Sequence, residues 1–572
     1  MNLESNPKND LWAFREGRKS VAGTALLADL ANVANSLRVN DKRLAISALV
    51  RSGEFESGIA DANSPAQSHA EELTDALATA FVESASGNER IHFLLDKIGR
   101  FQLPQHLSIS PPEGFAYYAL HPHDFVRLAV QAEAGGNSAL VIGIRSIGTT
   151  LSAIVRAALH KKGKKTARIT VRPSGHPYDR AVQFSPAQLQ TISEWRSGGA
   201  DFLVVDEGPG RSGSSFLSVA EALVKAGIPH SRIRLLGSRP VDVNQLCAEN
   251  ARERWRRFAF LWPEPSVYTR FSNHFYIGGG NWRGVLFGGQ SHWPACWPQM
   301  ERLKFLSPDR RSILKFEGFG RFGEEVLSRA QVLAHSGFGC PAEDAGDGMV
   351  CYPVIQGYAP GANHVSRELL STLARYGAFR AYEFRSPGAP PTQLPAMLGF
   401  NTLHEFGVDL GSEIDDLCTN DPILADGRMQ PHEWIQPPHG SLLKLDAYTH
   451  GDDHFFPGPT DIAWDLAGAI VEWNLDRDAS EFLVSEFRRI SGIDRTHALS
   501  AFVLAYTVFR LAYFKMALST VNGSAEEPRV SGAYLHYRAL AEQQLREMKA
   551  LNPPVLKTAV SLGSSIQPGT TA

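Results

Sequence analysis

Phe202 to Phe216 reads FLVVDEGPGRSGSSF, and the residues that follow, LSVAEALVKAG, place apolar side chains at three- and four-residue steps. A β-branched run, two acids, a Gly/Ser turn and an amphipathic helix together predict one strand–loop–helix unit of a parallel sheet. Gly210 and Gly213 permit the backbone angles a tight cradle needs. The helix start then offers free N–H groups and a dipole that favour an anion, and Ser212, Ser214 and Ser215 add hydroxyl donors. Asp206 and Glu207 repel phosphate. They suit the hydroxyls of a sugar or a magnesium ion. Outward from this loop, between Gly114 and about Pro263, ALVIGI, LSAIVRAAL, ARITVRP, FLVVD, FLSVAEALVKAG and IRLLGS alternate strand-like and helix-like runs, the pattern of an α/β domain.

The acid pair with its following loop resembles the ribose-phosphate motif of type I phosphoribosyltransferases. GIRSIGTTLSAIV from Gly143 is similar to that family's pyrophosphate loop, with Arg145, Ser146 and Gly148 in the loop and Thr149 opening the helix. RITVRPSGHPYDRAVQF from Arg168 stands where the family carries a mobile loop. The resemblance implies that Asp206 and Glu207 contact the ribose hydroxyls and that Gly210, Arg211, Ser212, Gly213, Ser214 and Ser215 wrap the 5-phosphate. Arg145 and the mobile-loop residues Arg172, His176 and Arg180 would then face pyrophosphate. It also implies phosphoribosyl pyrophosphate (PRPP) and Mg2+. Glu207 stands where the family most often has Asp, and Arg211 and Ser212 where Thr and Gly are common.

Residues 1–109 read as short amphipathic helices without evident chemistry, such as LADLANVANSL and the stretch Leu73 to Glu83, and prolines near Ser110 mark a boundary. Residues 110–265 form the α/β domain. From 266 to 556 the texture changes. FYIGGG, WRGVLFGG, MERLKFL and SILKFEGFG predict an antiparallel sheet with a hairpin turn at SPDRR, and helices dominate after Glu324. The whole is a multidomain α/β and α+β chain. The polar stretch 557–572 predicts a disordered tail.

In SILKFEGFG, Lys315 lies among apolar neighbours and the next helix opens with Glu324 and Glu325, as in kinases that orient nucleotide phosphates with a strand lysine and a helix glutamate. Together with GMVCYPVIQG, this order resembles the first lobe and hinge of aminoglycoside-phosphotransferase-like kinases, with Gly288 and Gly289 at the nucleotide loop. The second lobe carries LLKLDAYTHGDDHFFPGPTDIAWDLAGAIVEW from Leu442, which looks like that family's metal-binding segment. The resemblance implies ATP, with Asp446 on the metal and Glu433 and Asp461 as further candidates; Asp461 equally suits a helix cap. The family's H-G-D loop has no clean match in DGRMQPHEWIQPPHG, where His432 and Glu433 stand. His450, Asp452, Asp453 and His454 are crowded enough to hold a metal, or form a solvated loop.

Of the 572 residues 43% are hydrophobic and 20% charged, so the chain can bury several cores. A net charge of −3 from 57 basic and 60 acidic residues argues against a nucleic-acid partner and for small-molecule substrates. Five scattered cysteines read as reduced thiols, the first residues lack an apolar signal core, and Ser500 to Phe514 reads as a buried helix rather than a membrane span. A cytoplasmic location follows as an expectation. The leading functional expectation is a bifunctional transferase: phosphoribosyl transfer joined to an ATP-dependent kinase-like unit in nucleotide metabolism. The alternatives are a non-catalytic nucleotide-sensing regulator and a stress or phage-defence effector acting on nucleotide pools.

Overall fold

The computed structural model describes residues 11–13, 19–85, 89–132, 136–287, 289–290, 293–361, 365–449 and 455–551. The expected tail and the His450–His454 cluster lie outside them. The first helices are α1 (Gly23–Ala34), α2 (Lys42–Asp61), α3 (Gln67–Glu83) and α4 (Glu89–Gly99), and β1 (Lys19–Val21) pairs with β2 (Leu107–Ile109). α2 starts where the Asp41 carboxylate accepts from the Leu44 N–H at 3.0 Å, a capping bond. It is buried on every side from Ile46 to Ala60. Short α5 (Glu113–Ala116) and α6 (Pro122–Gln131) lead into the α/β unit.

That unit runs β3 (Ser138–Ile144), α7 (Ile147–Lys161), β4 (Lys165–Val171), the hairpin β5 (Ser174–His176) and β6 (Asp179–Ala181), α8 (Pro186–Ser197), β7 (Asp201–Val205), α9 (Ser214–Lys225), β8 (Ile233–Leu236), α10 (Ala251–Trp255) and β9 (Ala259–Leu261). Five strands pair in parallel in the order β4-β3-β7-β8-β9. The strand-to-face alternation sets two cores. Leu140, Ile142, Phe202 and Val204 pack on α9 through Phe216, Leu217 and Val219. Val141, Leu203 and Val205 point the other way, into a core shared with α2, α3 and α7 and continuous with Phe305, Phe316 and Phe319 of the next unit. The strand order reverses between β3 and β7, so the loops after these two strands lie side by side at the carboxyl edge, the place where open parallel sheets bind ligands.

After α11 (Ser266–Arg270), the strands β10 (Phe275–Tyr276), β11 (Lys304–Leu306), β12 (Ser312–Phe316), β13 (Glu343–Gly346) and β14 (Met349–Pro353) form an antiparallel sheet in the order β10-β11-β12-β14-β13, with α13 (Arg321–His335) between β12 and β13. The hairpin at Ser307–Arg311 joins β11 to β12. WRGVLFGG, expected as a strand, instead includes the short helix α12 (Arg283–Leu286). Arg283 decides this, because its buried guanidinium makes two bonds of 2.7 and 2.8 Å to Glu526 and so pulls the segment off the sheet. The last part comprises α14 (Arg367–Glu383), α15 (Leu394–Phe406), the pair β15 (Trp434–Ile435) and β16 (Leu443–Lys444), α16 (Ala463–Glu472), α17 (Arg477–Ser491), α18 (Leu499–Val521) and α19 (Glu527–Leu551). α18 outruns its expected apolar stretch. At 23 residues it is long and apolar enough to cross a membrane by length and composition, yet 78% of its most apolar window is buried in this fold. Its Arg510 pairs with Glu472 at 3.2 Å.

Candidate functional site

Asp206 and Glu207 follow directly on β7. The Asp206 carboxylate accepts from the Glu207 N–H at 2.8 Å, and Glu207 accepts from the Gly114 N–H of α5 at 2.9 Å. Burial pushes Asp206 up to about 7, although the Glu207 N–H and the guanidinium groups of Arg172 and Arg180 pull the other way. Burial, with Glu113 and Asp206 as like charges, takes Glu207 to about 8. A pair of acids that holds a proton near neutrality can release it when hydroxyl donors or a cation arrive. The loop then turns at Gly210 (φ 58°), whose surroundings are open, and at Gly213 (φ 73°), which caps α9.

The neighbouring loop after β3 approaches closely: a Cβ on Gly148 would lie 2.6 Å from the Val205 carbonyl, so only glycine fits. Thr149 turns inward, its hydroxyl 2.9 Å from that of Ser57 on α2, while Ser146 stays half-buried at the start of α7. Arg145 presents its Nε to Asp61, the last residue of α2, at 3.1 Å. Arg172 also pairs with Asp61 and donates from Nη1 to the Arg145 carbonyl at 3.1 Å. Arg145 and Arg172, both expected to face pyrophosphate, are therefore held by one carboxylate of the protein itself. Two of the expected phosphate hydroxyls are likewise engaged: Ser212 and Ser214 each lie 2.8 Å from the Pro177 carbonyl at the tip of the β5–β6 hairpin. Ser215 is half-buried, Arg211 and His176 are exposed, and the His176 ring accepts from the Tyr178 N–H at 3.3 Å. Asp61 is the residue that sequence reasoning missed. It ends a helix that the sequence presents as unremarkable, and nothing local marks it.

A second polar cluster joins the antiparallel sheet to the β15–β16 segment. Lys315 on the central strand β12 is only 5% exposed, and its Nζ pairs with Glu317 at 3.1 Å and with Asp446 just past β16. Asp446 sits at φ 52°, uncommon outside glycine and asparagine, and accepts from the Thr449 hydroxyl at 3.2 Å. Glu324, the expected lysine partner, points elsewhere, lying 3.7 Å from Arg51 and 3.9 Å from Arg43, and Glu325 is exposed. Basic side chains of the N-terminal helices draw Glu324 away, and Glu317, two residues beyond the lysine and just past the end of β12, takes its place. Tyr352 donates to Glu317 at 3.0 Å, and Arg302 approaches it at 3.5 Å. Burial raises the Glu317 carboxyl against the pull of Lys315 and Arg302.

Of the two expected nucleotide-loop glycines, Gly288 lies outside the described residues and Gly289 is exposed. Gly278, Gly279 and Gly280 follow β10 after Ile277, and Glu301 accepts from the Gly280 N–H at 2.8 Å and from the Trp282 indole at 2.7 Å. Glu433 pairs with buried Lys444 at 3.7 Å and approaches Arg428 at 3.8 Å. Burial disfavours the charged form of Lys304, but Glu301, Asp446 and Glu433 outweigh it and raise its pKa. His432 stacks on Trp282, and burial with the cations Arg428, Arg510 and Lys444 takes it down to about 3, leaving it neutral. Asp461 is occupied structurally: it accepts from the Ala463 N–H at 2.9 Å, from Thr419 at 2.8 Å and from Arg495 at 2.9 Å. Asp465 accepts from the N–H groups of Asp426 and Gly427, both at 2.9 Å, and so fixes the loop carrying Arg428. A further cavity of about 420 Å³ opens between α1 and α4, with no residue of either site in its wall.

No protein-family model matches the sequence, and no curated protein matches it. Solved structures similar to it include choline kinase LicA from Streptococcus pneumoniae, 12% identical over 43% of this chain and 90% of its own, with a TM-score of 0.30. Macrolide 2'-phosphotransferase MphH from Brachybacterium faecium is 13% identical over 41% of this chain and 88% of its own, with a TM-score of 0.29. Choline kinase from Cryptosporidium parvum is 10% identical over 44% and 88%, with a TM-score of 0.31.

Proposed function

We propose that the chain is a transferase that takes a ribose 5-phosphate donor, PRPP with magnesium, at the carboxyl edge of β3 and β7. The observation that carries this reading is the juxtaposition of two loops at the point where the strand order reverses, one bearing Asp206 and Glu207 and the other Arg145. The acid pair accepts the ribose hydroxyls. The open loop at Gly210 and the start of α9 hold the 5-phosphate, and Arg145 meets departing pyrophosphate, whose charge grows as the anomeric bond breaks. The donor set suits magnesium, since Asp206 and Glu207 offer oxygen only. Bound there, the ion would neutralise phosphate charge. Calorimetry with PRPP and magnesium tests the reading: Asp206→Asn/Glu207→Gln must lose at least about tenfold in affinity, the value of one or two charged hydrogen bonds. Unchanged binding by a folded variant refutes it.

In the same reading the C-terminal half is a kinase-like unit that binds ATP with magnesium between Lys315 and Asp446. Asp446 and Glu433 are the oxygen donors that would hold the ion, whose part would be to bridge phosphates. What favours binding without transfer is Arg428. The kinase catalytic loop reads H-x-D-x-x-x-x-N, and the loop anchored by Asp465 carries Asp426, Arg428 and Glu433 at that spacing. An arginine accepts no proton from a substrate hydroxyl. Small-molecule ligands at both sites are the partners this reading implies.

A further inference from the structure

A short run of bonds joins the two sites. At one end the Gly114 N–H donates to Glu207 at 2.9 Å. The next residue, Phe115, gives its carbonyl to the Phe319 N–H at 2.9 Å, in the turn that leaves β12. Ala116, next again, gives its carbonyl to Arg302 Nη1 at 3.3 Å, and the same nitrogen donates to the Glu317 carbonyl at 2.9 Å. Arg302 also lies 3.5 Å from the Glu317 carboxylate, which holds Lys315. The four residues of α5 thus touch the acid pair with one N–H, the turn after the lysine strand with one carbonyl and Arg302 with another. This turn is well held. A Cβ on Gly114 would meet Glu207, Leu120 and Ile147 at 2.9 to 3.0 Å, and Phe115 is fully buried.

α2 makes a second, parallel connection. Its Asp61 holds Arg145 and Arg172 beside the acid pair, while its Glu54 pairs with Arg321 at 2.6 Å and its Arg51 approaches Glu324 at 3.7 Å, both at the start of α13.

We propose that the Lys315–Asp446 cluster regulates the acid-pair site: nucleotide that engages this ion pair weakens binding at Asp206 and Glu207 through Arg302 and α5. The proposal rests on the binding reading of both sites given above. In the structure Lys315 lies between Glu317 and Asp446. Phosphates and a metal at the cluster attract Lys315 and Asp446, and Glu317, fully buried, then keeps Arg302 as its cation. A buried carboxylate left with one cation beside the Tyr352 hydroxyl draws that cation closer. Arg302 tightens on Glu317 and releases its longer bond to Ala116. α5 loosens, and with it the Gly114 N–H that orients Glu207. The two states differ in which carboxylate Lys315 faces and in whether Arg302 reaches Ala116, which are the differential contacts a coupling free energy requires.

The test is calorimetry of the full-length protein with ribose 5-phosphate and magnesium, titrated with and without saturating ATP. The expected result is a Kd for ribose 5-phosphate at least about fivefold higher with ATP, the lower end of ordinary coupling. Lys315→Ala must abolish the ATP effect. Arg302→Lys, which keeps the charge beside Glu317 but shortens the reach to Ala116, must bind ATP as the parent does, bind ribose 5-phosphate without ATP as weakly as the ATP-saturated parent, and show a ratio near one. If both ligands bind and the ratio is one or below in the parent, the proposal is wrong while the binding reading stands. If the ATP effect survives in Lys315→Ala, ATP competes directly at the acid pair, and the proposal is wrong. If ATP fails to bind at all, the reading of the cluster falls and takes the proposal with it. Arg302→Lys with undiminished coupling overturns the route through α5.

Discussion

Replacing Asp206 and Glu207 by their amides removes two carboxylates that the fold holds against their preference for water, and the consequence for stability can be worked from the structure. The folded-state values lie near 7 and 8, against ordinary values of 3.8 and 4.5, a rise of roughly three units each. At about 1.4 kcal/mol per unit the upper limit is about 4 kcal/mol for each acid. Both side chains are half-buried, so halving for solvent screening leaves about 2 kcal/mol apiece. The sign follows from proton binding. Between about pH 4 and pH 8 the native pair keeps protons that the unfolded chain has released, so stability is full at acid pH and falls as the pH rises through the folded values. The amides keep the oxygen acceptors that meet the Glu207 and Gly114 N–H groups and carry no charge to desolvate. Thermal unfolding of parent and Asp206→Asn/Glu207→Gln from about pH 5 to about pH 9 reads the effect. The variant should melt above the parent, with the gap widest near pH 9 and shrinking toward pH 5. A gap that does not vary with pH, or a variant less stable than the parent at pH 8, refutes the reasoning.

Arg145→Ala should weaken pyrophosphate binding by about tenfold to a hundredfold, the range for a charged hydrogen bond, and ribose 5-phosphate binding by much less; equal losses in calorimetry would contradict its assignment. Arg168 makes bonds of 2.7 Å to both Glu56 and Asp75. Arg168→Met, which strands Glu56 fully buried on α2, should therefore remove about 3–5 kcal/mol of stability in chemical unfolding. A loss under about 1 kcal/mol would mean that apolar packing alone docks α2 on the sheet. ATP with magnesium at a hundredfold excess over Kd should stabilise the full chain by about 2.7 kcal/mol in a thermal scan, with Lys315→Ala and Asp446→Asn responding less. Parent-like responses in both variants would move the pocket elsewhere.

The strand–loop–helix runs of the α/β unit were legible because a parallel strand buried on both faces must be a short apolar run and its helix must carry a stripe, and both constraints act within about a dozen residues. Lys315 and Asp446 were legible for the same local reason, each ending or interrupting an apolar β-run. Their mutual pairing was not, because it joins residues far apart in the chain and depends on how one lobe settles on the other. Glu324 shows the limit most directly. Its place at the start of a helix after the lysine strand is visible in the sequence, but its ion pairs go to Arg43 and Arg51, contributed by helices that the sequence presents as unremarkable. Asp61 and Arg302 acquire their roles in the same way. A side chain's partner is chosen by desolvation and charge in the packed molecule, and those are properties of everything that surrounds it, whereas periodicity belongs to the segment itself.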